Sequence, residues 1–278
     1  MRKIYENYIF EKVLRRESYM SLSIRSTYIG STVMFIASII IIFLAVYFTK
    51  KGVIKPKIRK LPGMDALDEA IGRATEMGRP VHYTVGLGGV GDTQVIAGLS
   101  ICQYVAKKCA EYGVRFLFTF SDPTVEPVAR DLIKNAYTMA GKPDEFRPEN
   151  VIWLSNRQFA YASGAMGLIL REKVAANLLL GYFAAESLIL AEAGFRAGAI
   201  QIAGTTNSYQ IPFFIATCDY TLISEELITA GAYVAGTPEQ IGTIFGQDII
   251  RLIGLALTII GLIFWAFGNR WFYDLLNI

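Results

Sequence analysis

The stretch VHYTVGLGGVGDTQVIAGLSICQYVAKKCAEYGVRFLFTF, residues 81–120, decides the fold. Residues 81–85 and 114–120 are runs of β-branched and aromatic side chains. Between them lie the glycine-dense turn Gly86-Leu87-Gly88-Gly89-Val90-Gly91 and a segment, 92–112, rich in Ala, Ile and Val and stopped by Gly113. Strand, turn, helix, glycine stop and strand make a βαβ unit, which sets two parallel strands in one sheet.

The same alternation continues on both sides. Before the unit, 64–77 has Leu67, Ala70, Ile71 and Ala74 on one helical face with charges opposite, and Gly78 and Pro80 end it. After it, helices are expected over 124–140, 158–171, 184–197 and 225–235. Strands are expected over 151–154, 174–180, 199–203 and 218–223, with a charged loop at 142–150. The strands are short, continuous apolar runs, as expected when helices cover both faces of the sheet. The fold class is therefore α/β, a Rossmann-like, mainly parallel sheet covered by helices. Thr237-Pro238-Glu239 starts one more helix, with Thr as cap and Pro in the first position, and that helix can run on unbroken.

Two apolar segments flank this domain. Residues 28–49, YIGSTVMFIASIIIIFLAVYFT, carry no charge, and a helix of that length crosses about 30 Å, the hydrocarbon thickness of a bilayer. A second run lies at 252–268. After the first comes a collar, KKGVIKPKIRK, with Lys50, Lys51, Lys55, Lys57, Arg59 and Lys60 and no acid. The chain thus divides into an N-terminal tail (1–27), a first span (28–49), collar and hinge (50–62), the α/β domain (63–246), a second span with its lead-in (247–270) and a C-terminal tail (271–278). The tail at 1–27 is basic, and either an interfacial helix or a partly ordered segment fits it. The apolar run starts too late and is too long for a cleavable signal peptide. Six positive charges follow the first span within eleven residues, against three in the fifteen before it, so the domain is expected on the cytoplasmic side.

Composition narrows the function. Hydrophobic residues make up 53 % of the chain and mean hydropathy is +0.37, values that suit a domain with two spans. Removing the six collar residues from 27 basic residues leaves 21 against 24 acids. The domain lacks the basic face that nucleic-acid binding needs, so the expected partners are the lipid bilayer, other copies of the chain and other proteins. The three cysteines, Cys102, Cys109 and Cys218, have no framework spacing. The single histidine, His82, falls in a strand and reads as structural. No metal-ligand spacing, phosphate-binding G-x-x-x-x-G-K-[ST] run or catalytic triad is visible, so neither a metal nor a cofactor is expected and catalysis is not supported.

The run EAGFRAGAIQIAGTTNSYQIPFFIATCDYTLI (192–223), with PGMDALDEAIGRATEMGRPV (62–81) upstream, resembles an uncharacterised prokaryotic family of membrane-anchored domains. The resemblance covers most of 61–246. It implies a membrane-associated domain and brings no activity with it.

Candidate ligand-binding residues collect at the expected C-terminal ends of strands, where open α/β sheets bind ligands. Gly86, Gly88 and Gly91 fit G-x-G-x-x-G. Asp92 at the start of the helix would repel phosphate, and the first downstream acid in the right context, Asp122, comes 31 residues after Gly91. A dinucleotide turn, another small-ligand turn and a capped tight turn all remain open. Ser121 and Asp122 end the second strand, and Thr205, Thr206, Asn207 and Ser208 follow the fifth; they either converge on a ligand or cap helices and make turns. Glu186, in an apolar segment, is either buried and functional, or exposed, or faces a partner subunit. The stretch 159–215 is rich in small and apolar residues and poor in Lys, which points to helix faces covered by a second copy, with Ala165 and Ala191 as surface positions in that contact. The expected function is a membrane-anchored, self-assembling scaffold without catalytic activity. The alternative is a membrane-tethered sensor of a nucleotide or other small anion.

Overall fold

The computed structural model describes residues 29–56 and 62–267. The two expected tails and the collar residues Lys57, Arg59 and Lys60 lie outside the described residues. Lys55–Ile241 form one compact unit; the remaining described residues, up to Ile54 and from Gly242 onward, form a second.

The first unit is built on six parallel strands: β1 (Val81–Gly86), β2 (Phe116–Phe120), β3 (Val151–Trp153), β4 (Ala176–Tyr182), β5 (Ile200–Thr205) and β6 (Tyr220–Ile223). Their order is β3-β2-β1-β4-β5-β6. The chain winds outward from β1 to β3, crosses back to β4, and winds outward the other way to β6. The switch point therefore lies between β1 and β4, as in doubly wound dinucleotide-binding sheets. With α1 (Ile29–Lys50) assigned to the second unit, the helices here are α2 (Pro62–Met77), α3 (Thr93–Tyr112), α4 (Val125–Met139), α5 (Gln158–Glu172), α6 (Ser187–Ala197), α7 (Ile211–Thr217) and α8 (Glu225–Ala235).

The helices make two layers with two apolar cores. Residues of α2, α3, α4 and α8 pack on one face of the sheet with Tyr83, Phe116, Phe118, Leu178 and Ile202. Residues of α5, α6 and α7 pack on the other with Leu117, Leu179 and Ala203. The central helix α3 lies close to the strands because Gly98 faces the Leu180 carbonyl, where any Cβ would collide. Its end is set by Gly113 at φ 71°, a left-handed cap whose N–H reaches Ala110 O.

Differences from the sequence reading have local causes. β4 starts at Ala176 rather than 174, because Val174 N–H closes the end of α5 on Ile169 O and Ala175 N–H bonds Pro80 O. α6 starts at Ser187, not 184, because Ala184 N–H is taken by the Glu186 carboxylate. α7, a segment to which the sequence assigns no element, is seven residues long with no side-chain cap, and it holds its place through Phe214, edge-on to Phe183 at 5.4 Å. Ala165 and Ala191, expected on the surface, are buried in the core against the sheet.

The second unit contains α1 and most of α9 (Pro238–Ala266), two helices long and apolar enough to cross a membrane. As the sequence allows, α9 runs unbroken from its proline start. The two helices touch through glycines. A Cβ at Gly242 would come within 2.7 Å of Val46 Cα, and one at Gly246 within 3.0 Å of Ile42 Cα. This small-xxx-small spacing is the one that lets helix backbones approach in lipid.

Candidate functional site

The C-terminal edge of the sheet brings the sequence-derived site residues into one neighbourhood. Gly86 ends β1 at φ 79°, and a Cβ there would collide with the Tyr182 carbonyl. The next residue, Leu87, donates its N–H to that same carbonyl at 2.9 Å. Gly88 faces Val95 and Tyr182, at 2.7 and 3.0 Å from the position of a Cβ, and Gly89 faces Asp122 Oδ2 and Thr124 Oγ1, both at 2.9 Å. The close approaches that these glycines permit are thus filled by the protein's own β4 end and β2 loop. Gly91 alone of the three motif glycines has open space beside it.

The polar groups around the loop bond to one another. Asp92 caps α3 by accepting Gln94 N–H at 2.8 Å. Asp122 accepts from Thr124 N–H at 2.8 Å and from Thr124 Oγ1 at 2.6 Å. Two carboxylates therefore flank the loop and oppose a phosphate there, while the N-terminus of α3 favours one. Gln94 Oε1 accepts from Thr205 Oγ1 at 2.9 Å and from Thr206 N–H at 2.7 Å, which ties the end of β5 to the start of α3. Asn207 donates from Nδ2 to Phe183 O at 2.9 Å and accepts Tyr209 N–H at 3.1 Å. Ser121 donates to Ser155 O at 2.8 Å, and Ser208 is exposed.

Sequence reasoning passed over Gln94, Gln158 and Gln210 at this edge. Glu186 is fully buried at the start of α6, where its carboxylate accepts from Gln158 Nε2 at 2.7 Å and from Ala184 N–H at 2.9 Å. Beside it, Ser187 donates to Gln210 Oε1 at 2.7 Å. The available signal was position: Gln94 and Gln158 each stand in the first turn of a helix that follows a strand.

A second polar system runs beneath this edge, across the sheet face that α5 and α6 cover. His82, Asn177 and Gln201 are direct neighbours on β1, β4 and β5, and all are buried. His82 Nδ1 bonds Asn177 Oδ1 at 2.8 Å, and Nε2 meets Thr119 Oγ1 at 2.8 Å. Asn177 Nδ2 donates to Gln201 Oε1 at 2.9 Å and to Leu190 O at 3.1 Å, and Gln201 Nε2 donates to Thr217 O at 3.2 Å. Because the Asn177 amide nitrogen is spent on acceptors, its oxygen must accept, so His82 carries its proton on Nδ1 and accepts at Nε2. Thr119 then donates to His82, and further along the same face the hydroxyls of Tyr161 and Thr84 share a hydrogen bond while Thr84 accepts Gly86 N–H at 3.0 Å. Burial holds His82 neutral, down to a pKa of about 4 against an ordinary 6.5, opposed only in part by the Asn177 bond. Burial likewise lifts Tyr161 to about 12, with the Glu186 charge adding to the shift.

Of the described collar residues, Lys51 sits with its ammonium 4.6 Å from the Tyr47 ring centroid, and Lys50 and Lys55 are exposed.

A doubly wound parallel α/β sheet on a chain with two helices of membrane-spanning length is the class that this architecture defines. The chain belongs to the family described as a domain of unknown function (DUF6754), whose model matches residues 21–276 and so takes in both long helices and the whole sheet. Neither a curated protein nor a solved structure matches the chain.

Proposed function

We propose that the chain is a membrane-anchored scaffold of prokaryotic cells, without catalytic activity, that self-assembles at the cell membrane with its α/β unit on the cytoplasmic side. Both α1 and α9 act as spans in this reading, and the basic collar keeps the sheet domain inside. The observation that carries the assembly reading is the exposed apolar surface on α6 and α7. Leu188 and Phe195 stand on one face of α6 at i and i+7, with Glu192 between them held by Arg196, beside residues 216–219 at and after the end of α7, and the groove between them measures about 640 Å³. Phe195 is 74 % exposed and Ile215 54 %. Isolated apolar residues on a surface are ordinary, but a stripe that rims a groove is typical of a protein contact. Anchoring in a plane raises the local concentration of copies, so a modest contact suffices for assembly.

The test is the mass of the full chain in a mild detergent or a bilayer disc. Wild type should exceed the 30.8 kDa of one chain plus its bound detergent or lipid, and Phe195→Arg should shift it toward monomer with an unchanged circular dichroism spectrum. A wild-type monomer at all concentrations overturns the assembly reading.

The strand order favours a second reading, a tethered sensor of a nucleotide or other small anion at Gly86, Gly88, Gly91, Ser121, Asp122, Thr205, Thr206, Asn207 and Ser208, because the β1–β4 switch point is where such sheets bind ligands. Thermal shift of the full chain with nucleotides tests it: a rise in wild type that Gly88→Val abolishes would put this reading first.

A further inference from the structure

The N-terminal edge of the sheet, opposite the glycine loop, carries a cleft of about 430 Å³. That volume lies within the roughly 300–1,000 Å³ of small-molecule sites. Its walls come from the end of α3, the end of α4 and the loop that leads into β3. Gly113 ends α3 at φ 71° and leaves one wall without a side chain. The loop is folded into two short 3-10 turns, Pro143–Glu145 and Pro148–Asn150. Between them Phe146 packs edge-on to Tyr137 at 6.0 Å, and Asn150 N–H bonds Arg147 O at 3.0 Å. These contacts fix the loop, so the cleft is preformed.

Two buried polar side chains line the cleft with hydrogen-bonding capacity left over. Tyr137 is 6 % exposed, and its hydroxyl has no hydrogen-bond partner among the described residues. That hydroxyl is not sealed in, because the unpartnered side-chain atoms shut off from solvent are Thr49 Oγ1 and Gln240 Oε1, so it opens into the cleft. Burial, with the Cys109 and Glu145 groups adding to it, lifts the hydroxyl to about 12, so it remains a proton donor at neutral pH. Asn150 is 9 % exposed; its Oδ1 accepts from Arg115 Nε at 3.3 Å, and its Nδ2 has no partner among the described residues. The surrounding charges are partly spent. Arg115 pairs with Glu172 at 2.8 Å and Glu145 with Lys142 at 3.6 Å. Arg147 and Glu149, on either side of Pro148, line the cleft without an ion pair. One free cation and one free anion on a single turn, with two free polar groups at its floor, are left for a ligand.

We propose that this cleft binds a small zwitterion of the α-amino acid class. Arg147, Asn150 Nδ2 and the Tyr137 hydroxyl donate to its carboxylate, and Glu149 accepts from its ammonium group, in charge-assisted hydrogen bonds. A simple anion is opposed by Glu145 and Glu149, and a simple amine by Arg115 and Arg147; a ligand that carries both signs satisfies both sets. The site lies at the other edge of the sheet from Gly86–Gly91, and it depends neither on assembly nor on the sensor reading.

Thermal shift and isothermal titration of the full chain in mild detergent test the site. The probes are the standard α-amino acids at millimolar concentration, each beside the carboxylic acid that lacks its amino group and the amine that lacks its carboxylate. At least one amino acid should raise the melting temperature, and neither of its two halves should. Arg147→Gln and Glu149→Gln should each weaken that amino acid by about tenfold or more, the scale of a lost hydrogen bond to a charged group. Both residues are exposed, so the melting temperature without ligand should not move. Tyr137→Phe keeps the ring against Phe146 and should weaken binding about fivefold. Absence of binding by every amino acid at millimolar concentration overturns the proposal. Equal binding of the deaminated acid overturns it too, since the cleft would then be an anion site. A shift that Gly88→Val abolishes and Arg147→Gln leaves intact belongs to the glycine-loop edge and overturns it as well. None of these results touches the assembly reading, which is decided by the mass of the wild type.

Discussion

His82 is the only histidine in the chain, so its contribution to the pH dependence of stability is isolated by one substitution. In the folded protein the imidazole is fully buried and neutral down to about pH 4. In the unfolded chain it protonates near 6.5. Between those values the unfolded state binds more protons, so stability falls as pH falls from 6.5, and the loss is complete once pH passes below about 4. A displacement from 6.5 to about 4 corresponds to roughly 3 kcal/mol at 1.36 kcal/mol per unit. That is a sizeable part of the roughly 5–15 kcal/mol typical of a folded domain.

Burial is what holds the neutral form, against a partial opposing effect of the Asn177 bond. A proton added at Nε2 would face the Thr119 hydroxyl, which already donates there. Accommodating it means turning the Thr119 hydroxyl from donor to acceptor. Urea unfolding of the full chain in mild detergent, from pH 7 to pH 4, measures the effect against His82→Gln. The glutamine variant should be less stable at pH 7, and the gap between the two proteins should close by about 3 kcal/mol on the way to pH 4. Carboxylates that titrate in the same range are common to both proteins and cancel in the difference. A constant gap, or an imidazole that titrates near 6.5 by NMR of the folded protein, refutes the reasoning.

Three other substitutions follow from close contacts. Gly98→Ala should lose about 1–3 kcal/mol in the same unfolding experiment, because the added methyl meets the Leu180 carbonyl and the overpacking outweighs the gain in helix propensity. Gly194→Ala should cost at least as much, since its methyl would displace the Gln201 and Asn177 amides beneath α6; an unchanged melting temperature would show that the amide row is not as packed as described. Gly246→Leu should separate α1 from α9, read as a gain in accessibility of a cysteine placed at Ala45, a position that is 4 % exposed.

The alternation of strands and helices was legible because each strand is a run of apolar residues bounded by glycine or polar turns, and 81–120 alone specifies a parallel pair. Strand order was not, since nothing in a run such as ANLLLGY says which neighbour it will take. The glycine motif was legible as a turn, yet its geometry depends on partners far along the chain: Tyr182 for Gly86 and Gly88, Asp122 for Gly89. No spacing within 86–91 carries that information. The row of His82, Asn177 and Gln201 was hidden for a related reason. Each strand contributes one polar residue among apolar ones, and a lone polar residue in a strand carries no sign of the register that lines it up with the others.

The stretch 159–215 shows how the same residues support opposite readings. Its small side chains suggested faces shaped for a second copy. The structure turns Ala165, Ala191 and Gly194 inward, where their size lets α5 and α6 settle onto a sheet face that is itself raised by amide and imidazole side chains. A larger residue at Gly194 would lift α6 off Asn177 and Gln201 and break the row. The outward positions one residue away are occupied by a large apolar group, Phe195. Small residues mark where helices come closest, inside or outside, and only the direction of Cβ decides which. The argument for assembly therefore rests on the exposed aromatic and aliphatic side chains of α6 and α7, which a solitary copy leaves facing water.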